Sequence, residues 1–301
     1  MLPAPAQSVR LFRVFGITVF LHYSWFLIAL YEINYRKDTY TSLGWNIAEY
    51  LGLFCIVLLH EFGHALASRQ VGGSSDRIVL WPLGGVAYVS APPRPGAELW
   101  SIAAGPLVNV VIALLLKGYS YTPLPEMIFR QNPELTHFIH QIWRINLGLL
   151  IFNILPIYPL DGGQILRSLL WFVMGRVWSL YVACSIGLLG VAGMFWLGYS
   201  AGDWWFGLLG FFALSRCWRG FKNAKAIAAW QKIPRHNDFA CPSCRTAPPQ
   251  AAIWRCAHCQ QPYDTFAHLA TCPNCGEHAE VTACPECRNA TPLAQWSAIE
   301  V

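Results

Sequence analysis

The fold class of this chain follows from residues 51–64, which read Leu-Gly-Leu-Phe-Cys-Ile-Val-Leu-Leu-His-Glu-Phe-Gly-His. The first nine residues of this segment carry no polar side chain, whereas the last five contain two histidines and a glutamate. A charged side chain in hydrocarbon costs at least ~2.5–3.5 kcal/mol. An apolar segment that ends in these groups therefore indicates a buried site with a chemical purpose.

The spacing of His60, Glu61 and His64 is that of a zinc site on a helix. Residues four positions apart lie on one helical face, so both imidazoles can reach one metal ion. Glu61 can then act as general base toward a water that the metal activates. The alternative is a polar cluster that only joins helices, and it does not account for two histidines and an acid on one face.

The composition agrees with a membrane location. Of the 301 residues, 55% are hydrophobic and 12% are charged, against about 25% charged in ordinary globular domains. These fractions exclude a typical cytosolic enzyme, a disordered chain and a secreted disulfide scaffold. Because a helix of about 20 apolar residues crosses a bilayer, we predict six spans. They lie near residues 17–34, 48–68, 98–117, 140–158, 178–199 and 203–218, with an amphipathic segment over 162–174.

The distribution of Lys and Arg sets the expected orientation. With six spans, most of these residues fall on one side of the membrane, including the basic cluster over 216–235. Since cytoplasmic loops carry the excess of Lys and Arg, we expect both termini in the cytoplasm. The basic cluster also suits an anionic lipid surface.

A catalytic zinc needs a third protein ligand and an open position for water. Asp161 is the candidate, because it follows Asn153-Ile-Leu-Pro156-Ile-Tyr-Pro159-Leu and precedes Gly162-Gly163. Two prolines interrupt a helix, and irregular backbone at membrane depth is tolerated where it lines a cavity. The alternative is an interfacial aspartate that caps the following helix.

These motifs together resemble the site-2 protease family of intramembrane zinc metalloproteases. Further segments of residues 10–220 resemble it too, namely those at 16–22, 80–86 and 104–109. The resemblance implies that His60, His64 and Asp161 bind zinc and that Glu61 activates the water. It also implies that Asn153 holds the scissile backbone or the oxyanion, and that Asn109 lines the same cavity. For Asn109 a hydrogen bond between helices is an equal alternative.

The resemblance further implies a function. The family hydrolyses peptide bonds in or near transmembrane segments, and its loop matching residues 77–90 is a membrane-associated β-hairpin that could add a strand to an unwound substrate. We therefore expect a site-2-type metalloendopeptidase in a bacterial or archaeal cell membrane, with transmembrane proteins as substrates. The alternatives are a catalytically silent receptor or scaffold that acts through its tail, and a zinc transporter.

The last 66 residues of the chain, here called the tail, differ in kind from the rest, since they contain eight of the eleven cysteines. They form four Cys-x-x-Cys pairs, which suit two structural Zn(Cys)₄ sites and resemble a double zinc ribbon. The pairs are Cys241/Cys244, Cys256/Cys259, Cys272/Cys275 and Cys284/Cys287. Sequential pairing gives two small ribbons, and nested pairing is the other possibility. Disulfides would need an oxidising compartment.

The charge of the tail argues against nucleic acid as its ligand. Residues 236–301 contain three arginines and six acidic residues, and each Zn(Cys)₄ centre adds negative charge. Phosphate binding needs clustered Lys and Arg. A protein partner or self-association is the expected use of the ribbons.

The sequence thus predicts an all-α polytopic membrane protein with a short β-hairpin loop, followed by a small zinc-ribbon domain. The expected zinc content is one catalytic ion and two structural ions. The predicted boundaries are 1–220 for the metalloprotease domain, 221–238 for a basic linker, 239–290 for the ribbons and 291–301 for a C-terminal tail.

Overall fold

A computed structural model describes residues 7–36, 39–81, 84–119 and 132–296. The chain divides into two compact units, Met1–Ala224 and Lys225–Val301. The division falls inside the predicted linker over 221–238. Residues 297–301 of the predicted C-terminal tail lie outside the described residues, as do Pro82 and Leu83 of the predicted hairpin.

A four-stranded sheet is the β part of the first unit. Its strands are β1 (Ser8–Val14), β2 (Ile17–His22), β3 (Ser74–Trp81) and β4 (Gly84–Ser90). They lie in the order β1-β2-β3-β4, with β2 and β3 parallel and the two outer pairs antiparallel. The predicted hairpin over 77–90 is therefore one half of a larger sheet.

The prediction of a membrane helix over 17–34 is wrong in its first part. Residues 17–22 form the central strand β2, and helix α1 covers only Ser24–Tyr35. A short apolar run does not distinguish a buried strand from a helix, because both faces of the strand are covered. All six residues of β2 are buried, so no polar alternation marks it in the sequence.

Five longer helices complete the described part of the first unit and lead into the second. They are α2 (Leu43–Gln70), α3 (Pro95–Tyr119), α4 (Pro133–Ile154), α5 (Asp161–Ala201) and α6 (Trp204–Gln231). Among the described residues, three segments are long and apolar enough to cross a membrane: Leu43–Gln70, Pro95–Gly118 and Asp161–Ala201. They contain the predicted spans 48–68, 98–117 and 178–199. The count of six spans is not confirmed.

Helix α5 consists of two parts. Gly175 has φ 78° and ψ 173°, which interrupts the helical backbone between Asp161 and Ala201. Glycine adopts positive φ at no steric cost. The interruption separates the predicted amphipathic segment over 162–174 from the predicted span over 178–199.

The second unit is built from short hairpins around an aromatic core. Strands β5 (Trp254–Arg255) and β6 (Pro262–Tyr263) pair, as do β7 (Thr282–Ala283) and β8 (Ala290–Thr291), and a 3₁₀ helix covers Leu293–Gln295. Phe266 and Trp296 are buried together at the centre. Trp296 follows the predicted ribbon boundary at 290, so the packed unit extends beyond it.

Candidate active site

Three helices contribute the candidate zinc ligands and their partners. Helix α2 carries His60, Glu61 and His64, while Asp161 is the first residue of α5. Helix α3 packs against both of these helices. His60 and Glu61 are each 6% exposed, so these polar groups lie in the interior of the unit.

The structure brings the three predicted ligands together. His60 Nε2 lies 3.0 Å from Asp161 Oδ2, His64 Nε2 lies 3.4 Å from the same oxygen, and the two Nε2 atoms are 3.1 Å apart. Tetrahedral zinc with ligand bonds of about 2.0–2.2 Å would separate its ligand atoms by about 3.3 Å. The triangle therefore matches one face of a zinc tetrahedron and leaves the fourth vertex for a water.

Hydrogen bonds to the Nδ1 atoms of the two histidines determine where the lone pairs of their Nε2 atoms point. His60 Nδ1 lies 2.5 Å from Asn109 Oδ1, and His64 Nδ1 lies 2.9 Å from the carbonyl oxygen of Ser101. Both partners are acceptors, so each Nδ1 carries the proton and donates it. Each Nε2 then presents a lone pair, as zinc-binding histidines do when a second group orients the ring.

The convergence of these groups favours a bound cation. Two imidazole lone pairs face a carboxylate oxygen, and all three would repel one another without a positive charge between them. Asp161 Oδ2 is buried and accepts no hydrogen bond of acceptable geometry from the described residues. The donor set, the distances and this oxygen all fit zinc.

Gly105 leaves the space that the two imidazoles occupy. A Cβ atom at this position would overlap the ring of His64 and approach His60 Nε2. The imidazoles of His60 and His64 on α2 can therefore pack against α3 only because residue 105 of α3 has no side chain. Gly105 belongs to the 104–109 segment noted in the sequence.

A tight turn delivers Asp161 to the site. Helix α4 ends at Ile154, and α5 begins at Asp161. A Cβ atom on Gly162 would overlap the backbone of Ile154 and Leu155. The backbone of α5 can therefore approach the end of α4 closely, as the pair Gly162-Gly163 suggests in the sequence.

The two asparagines predicted at the site have different surroundings. The Asn109 side chain is fully buried and donates to Asn146 Oδ1 over 2.8 Å, while Asn146 donates to the Asn109 carbonyl over 2.9 Å. This is the interhelical hydrogen bonding that the sequence left as an alternative, with His60 as a third partner. Asn153 lies in the last turn of α4 and is half-buried.

Sequence reasoning missed the Ser101 carbonyl, and for Asn146 it left open whether the side chain reaches the membrane surface or bonds across helices. The first is a backbone atom, so no residue type announces it. For the second, the structure shows the bond across helices, with Asn109 as the partner.

The cysteines of the second unit form two clusters. Each cluster has four sulfur atoms within 4.8 Å of one another: Cys241, Cys244, Cys284 and Cys287 in one, and Cys256, Cys259, Cys272 and Cys275 in the other. Paired sulfur atoms lie 3.5–3.7 Å apart, near the about 3.8 Å that zinc–sulfur bonds of 2.3 Å would give in a tetrahedron. The arrangement is nested. The first and last Cys-x-x-Cys pairs form one cluster, here called the outer site, and the second and third pairs form the other, here called the inner site.

Hydrogen bonds favour the thiolate form of one cysteine in the inner site. A hydrogen bond from Asn274, followed by one from the backbone of Gln261, lowers the pKa of Cys259 to about 6. A cysteine binds zinc as its thiolate, so Cys259 is prepared for metal near neutral pH.

Comparison with known proteins agrees with the geometry. The model of Peptidase family M50 matches residues 48–124 and 126–197. A zinc metalloprotease of Methanocaldococcus jannaschii is 34% identical over 182 residues, which are 60% of this chain and 50% of that protein. A Synechocystis sp. protein provisionally named a zinc metalloprotease is 30% identical over 241 residues, which are 73% of this chain and 61% of that protein.

A solved structure shares the fold. The site-2 protease from Methanocaldococcus jannaschii matches with a TM-score of 0.52 and 29% identity, over 71% of this chain and 95% of that one. Fold and site thus define a membrane protein with a candidate zinc centre. The matched part of the chain belongs to Peptidase family M50, the site-2 proteases. The chain spans about half the length of the first of the curated relatives above.

Proposed function

We propose that this protein is an intramembrane zinc metalloendopeptidase that hydrolyses peptide bonds in or near transmembrane segments of other proteins. The observation that carries the proposal is the convergence of His60 Nε2, His64 Nε2 and Asp161 Oδ2 within 3.0–3.4 Å in a buried site. The M50 match and the apolar helices support it.

Zinc bound by His60, His64 and Asp161 would lower the pKa of a water toward about 7 and polarise a carbonyl oxygen. The side chains do the remaining work. Glu61 follows His60 on α2 and is buried, so its carboxylate takes the proton of the attacking water and passes it to the leaving amine. The low dielectric around these groups strengthens their action on the reacting atoms.

The asparagines have separate tasks in this proposal. Asn153 stabilises the oxyanion or holds the substrate backbone, as the family resemblance suggests. Asn109 holds the His60 ring and connects it to α4 through Asn146. Asn109 thus acts on the substrate only through the orientation of His60.

We place the substrate next to the sheet. A peptide bond inside a helix is shielded, so the substrate must become extended before water attacks it. Strand β4 is an outer strand of the four-stranded sheet, and an outer strand can pair with an extended peptide through backbone hydrogen bonds.

The tail supplies two structural zinc sites and a surface for a protein partner or for self-association. Its acidic charge argues against nucleic acid. In this proposal the protein lies in a bacterial or archaeal cell membrane with both termini in the cytoplasm.

Glu61→Gln tests the catalytic assignment. We expect the variant to keep its zinc and to lose cleavage by at least ~10²-fold, because it lacks the general base. New peptide termini in the membrane proteins of cells that express the wild type, compared with the variant, reveal cleavage without knowledge of the substrate. Glu32→Gln in α1 is the matched control and should resemble the wild type.

A catalytically silent receptor predicts a different result. The wild type and Glu61→Gln would then give the same peptide termini while both hold zinc. That outcome would overturn the proteolytic assignment in favour of the scaffold alternative.

A further inference from the structure

The four-stranded sheet packs on α2, the helix that carries His60 and His64, mainly through apolar side chains. Buried residues from both partners form one cluster, which comprises Ile17, Val19, Leu21, Trp25, Ala65, Ile78 and Leu80. Apolar burial is strong but has no direction. These contacts hold the sheet against α2 and do not by themselves fix its position along the helix.

Arg69 adds directional contacts between the same two elements. It lies in the last turn of α2, five residues after His64. Its guanidinium donates from Nη1 to the carbonyl oxygen of Phe15, in the turn between β1 and β2, and from Nε and Nη2 to the carbonyl oxygen of Ser75 in β3. One side chain thus ties two parts of the sheet to the helix that carries the site.

The Ser75 contact lies at an irregularity of the sheet. Ser75 faces Val89, but Ile78 faces Ala87, so Asp76 and Arg77 of β3 lie opposite Tyr88 alone. This is a β-bulge, which changes the direction and register of the strands that follow it. Arg69 therefore holds β3 at the residue that precedes the bulge, where the register of β4 is set.

We propose that Arg69 is a positioning residue that determines which peptide bond of an extended substrate reaches the zinc site. The inference rests on the proposed function, in which the substrate pairs with β4. His64 and Arg69 belong to one continuous helix, about 7.5 Å apart along its axis. The distance from the ligands to the bulge, and hence to the paired substrate, is fixed through this side chain.

Arginine is suited to this task for a geometric reason. Its guanidinium is a planar group with five donors, so it can serve two carbonyl oxygens in fixed directions. Lysine keeps the charge but presents a rotating ammonium group. A change to lysine therefore tests the direction of the bonds separately from the charge.

The test compares Arg69→Gln and Arg69→Lys with Arg13→Gln, which removes the same charge from an exposed position of β1, at the edge of the sheet opposite β4. The readout is the set of new peptide termini in membranes of expressing cells, together with zinc content. We expect Arg69→Gln to keep zinc and to cut the same proteins at bonds displaced by about one or two residues, because a register slip moves the paired strand in such steps. Arg69→Lys should cut at both sets of bonds, and Arg13→Gln should cut as the wild type does.

Two results would overturn the proposal. One is an unchanged cut position in both Arg69 variants. The other is a parallel loss of zinc and of cleavage without displacement, which would indicate a purely structural contact. If Arg69→Gln does not fold, the cut positions of Arg69→Lys decide between these outcomes.

A failure of the proposed function would look different. Wild type and Glu61→Gln would then give the same set of peptide termini. Hydrogen exchange at residues 15–17 and 75–78 would still report on the contacts of Arg69 with the sheet. Faster exchange there in Arg69→Gln than in Arg13→Gln would show that the Arg69 side chain holds these segments; equal exchange would show that it does not.

Discussion

Gly105 shows how much one residue decides in this site. Its missing side chain makes room for the imidazoles of His64 and His60. A Cβ atom there would overlap the His64 ring, so this ring would have to leave the ligand triangle, whose edges are 3.0–3.4 Å. The position is thus as demanding as those of the ligands, although glycine itself binds nothing.

We expect Gly105→Ala to weaken zinc binding at the membrane site by on the order of 10–100-fold, the loss typical of disturbed support around metal ligands. Gly193→Ala on α5 is the control, because a Cβ atom there meets no atom within 4 Å. Competition with a chelator measures both affinities. Equal affinities in the two variants would show that α3 moves aside without cost.

At the scale of elements, the helical motif was the most predictable part of the site. The i, i+4 spacing brings His60 and His64 to one face of any helix, so their proximity needs no tertiary information. The prediction that Asp161 lies at the site depended on the Pro and Gly residues around it in the sequence. Strand β2 was missed because its apolar run fits a helix equally well, and the Ser101 carbonyl has no signal in residue types.

The cysteine pairing shows the same limit. Four Cys-x-x-Cys pairs have identical ligands, and the loops between them allow both sequential and nested sites. The structure joins Cys241/Cys244 to Cys284/Cys287 around the inner four. Phe266 of the inner loop packs against Cys241 and Cys284 of the outer site. The spacing of the cysteines in the sequence does not predict this packing.

Two double variants distinguish the pairings. Nested sites predict that Cys244→Ser with Cys284→Ser removes one zinc ion, because both ligands belong to the outer site, whereas Cys244→Ser with Cys259→Ser removes two. Sequential sites predict the reverse. Zinc per chain, measured by elemental mass spectrometry on the purified full-length protein, separates these outcomes.

At the scale of the whole molecule, scarcity of charge and exposure of apolar side chains agree. Only 12% of the residues are charged, and Leu115, Leu189 and Tyr199 on the long helices are 69%, 74% and 90% exposed. In water such a surface would cause association. In a bilayer these side chains contact lipid.

We expect the complete protein to hold three zinc ions per chain and His60→Ala to hold two, because the membrane site and the two tail sites use separate ligands. Metal analysis of the protein in detergent tests this number. A wild type with two ions, both lost when all eight tail cysteines are changed to serine, would contradict a metal centre in the membrane unit.

The nested cysteine sites also close the tail on itself. The outer site joins residues 241–244 to residues 284–287, so the chain between them is a loop whose two ends meet at one cysteine cluster that could hold an ion. A single backbone cut within that loop would leave both pieces attached for as long as the ion stays bound. Metal rather than chain continuity would then decide whether the end of this protein stays with its membrane anchor.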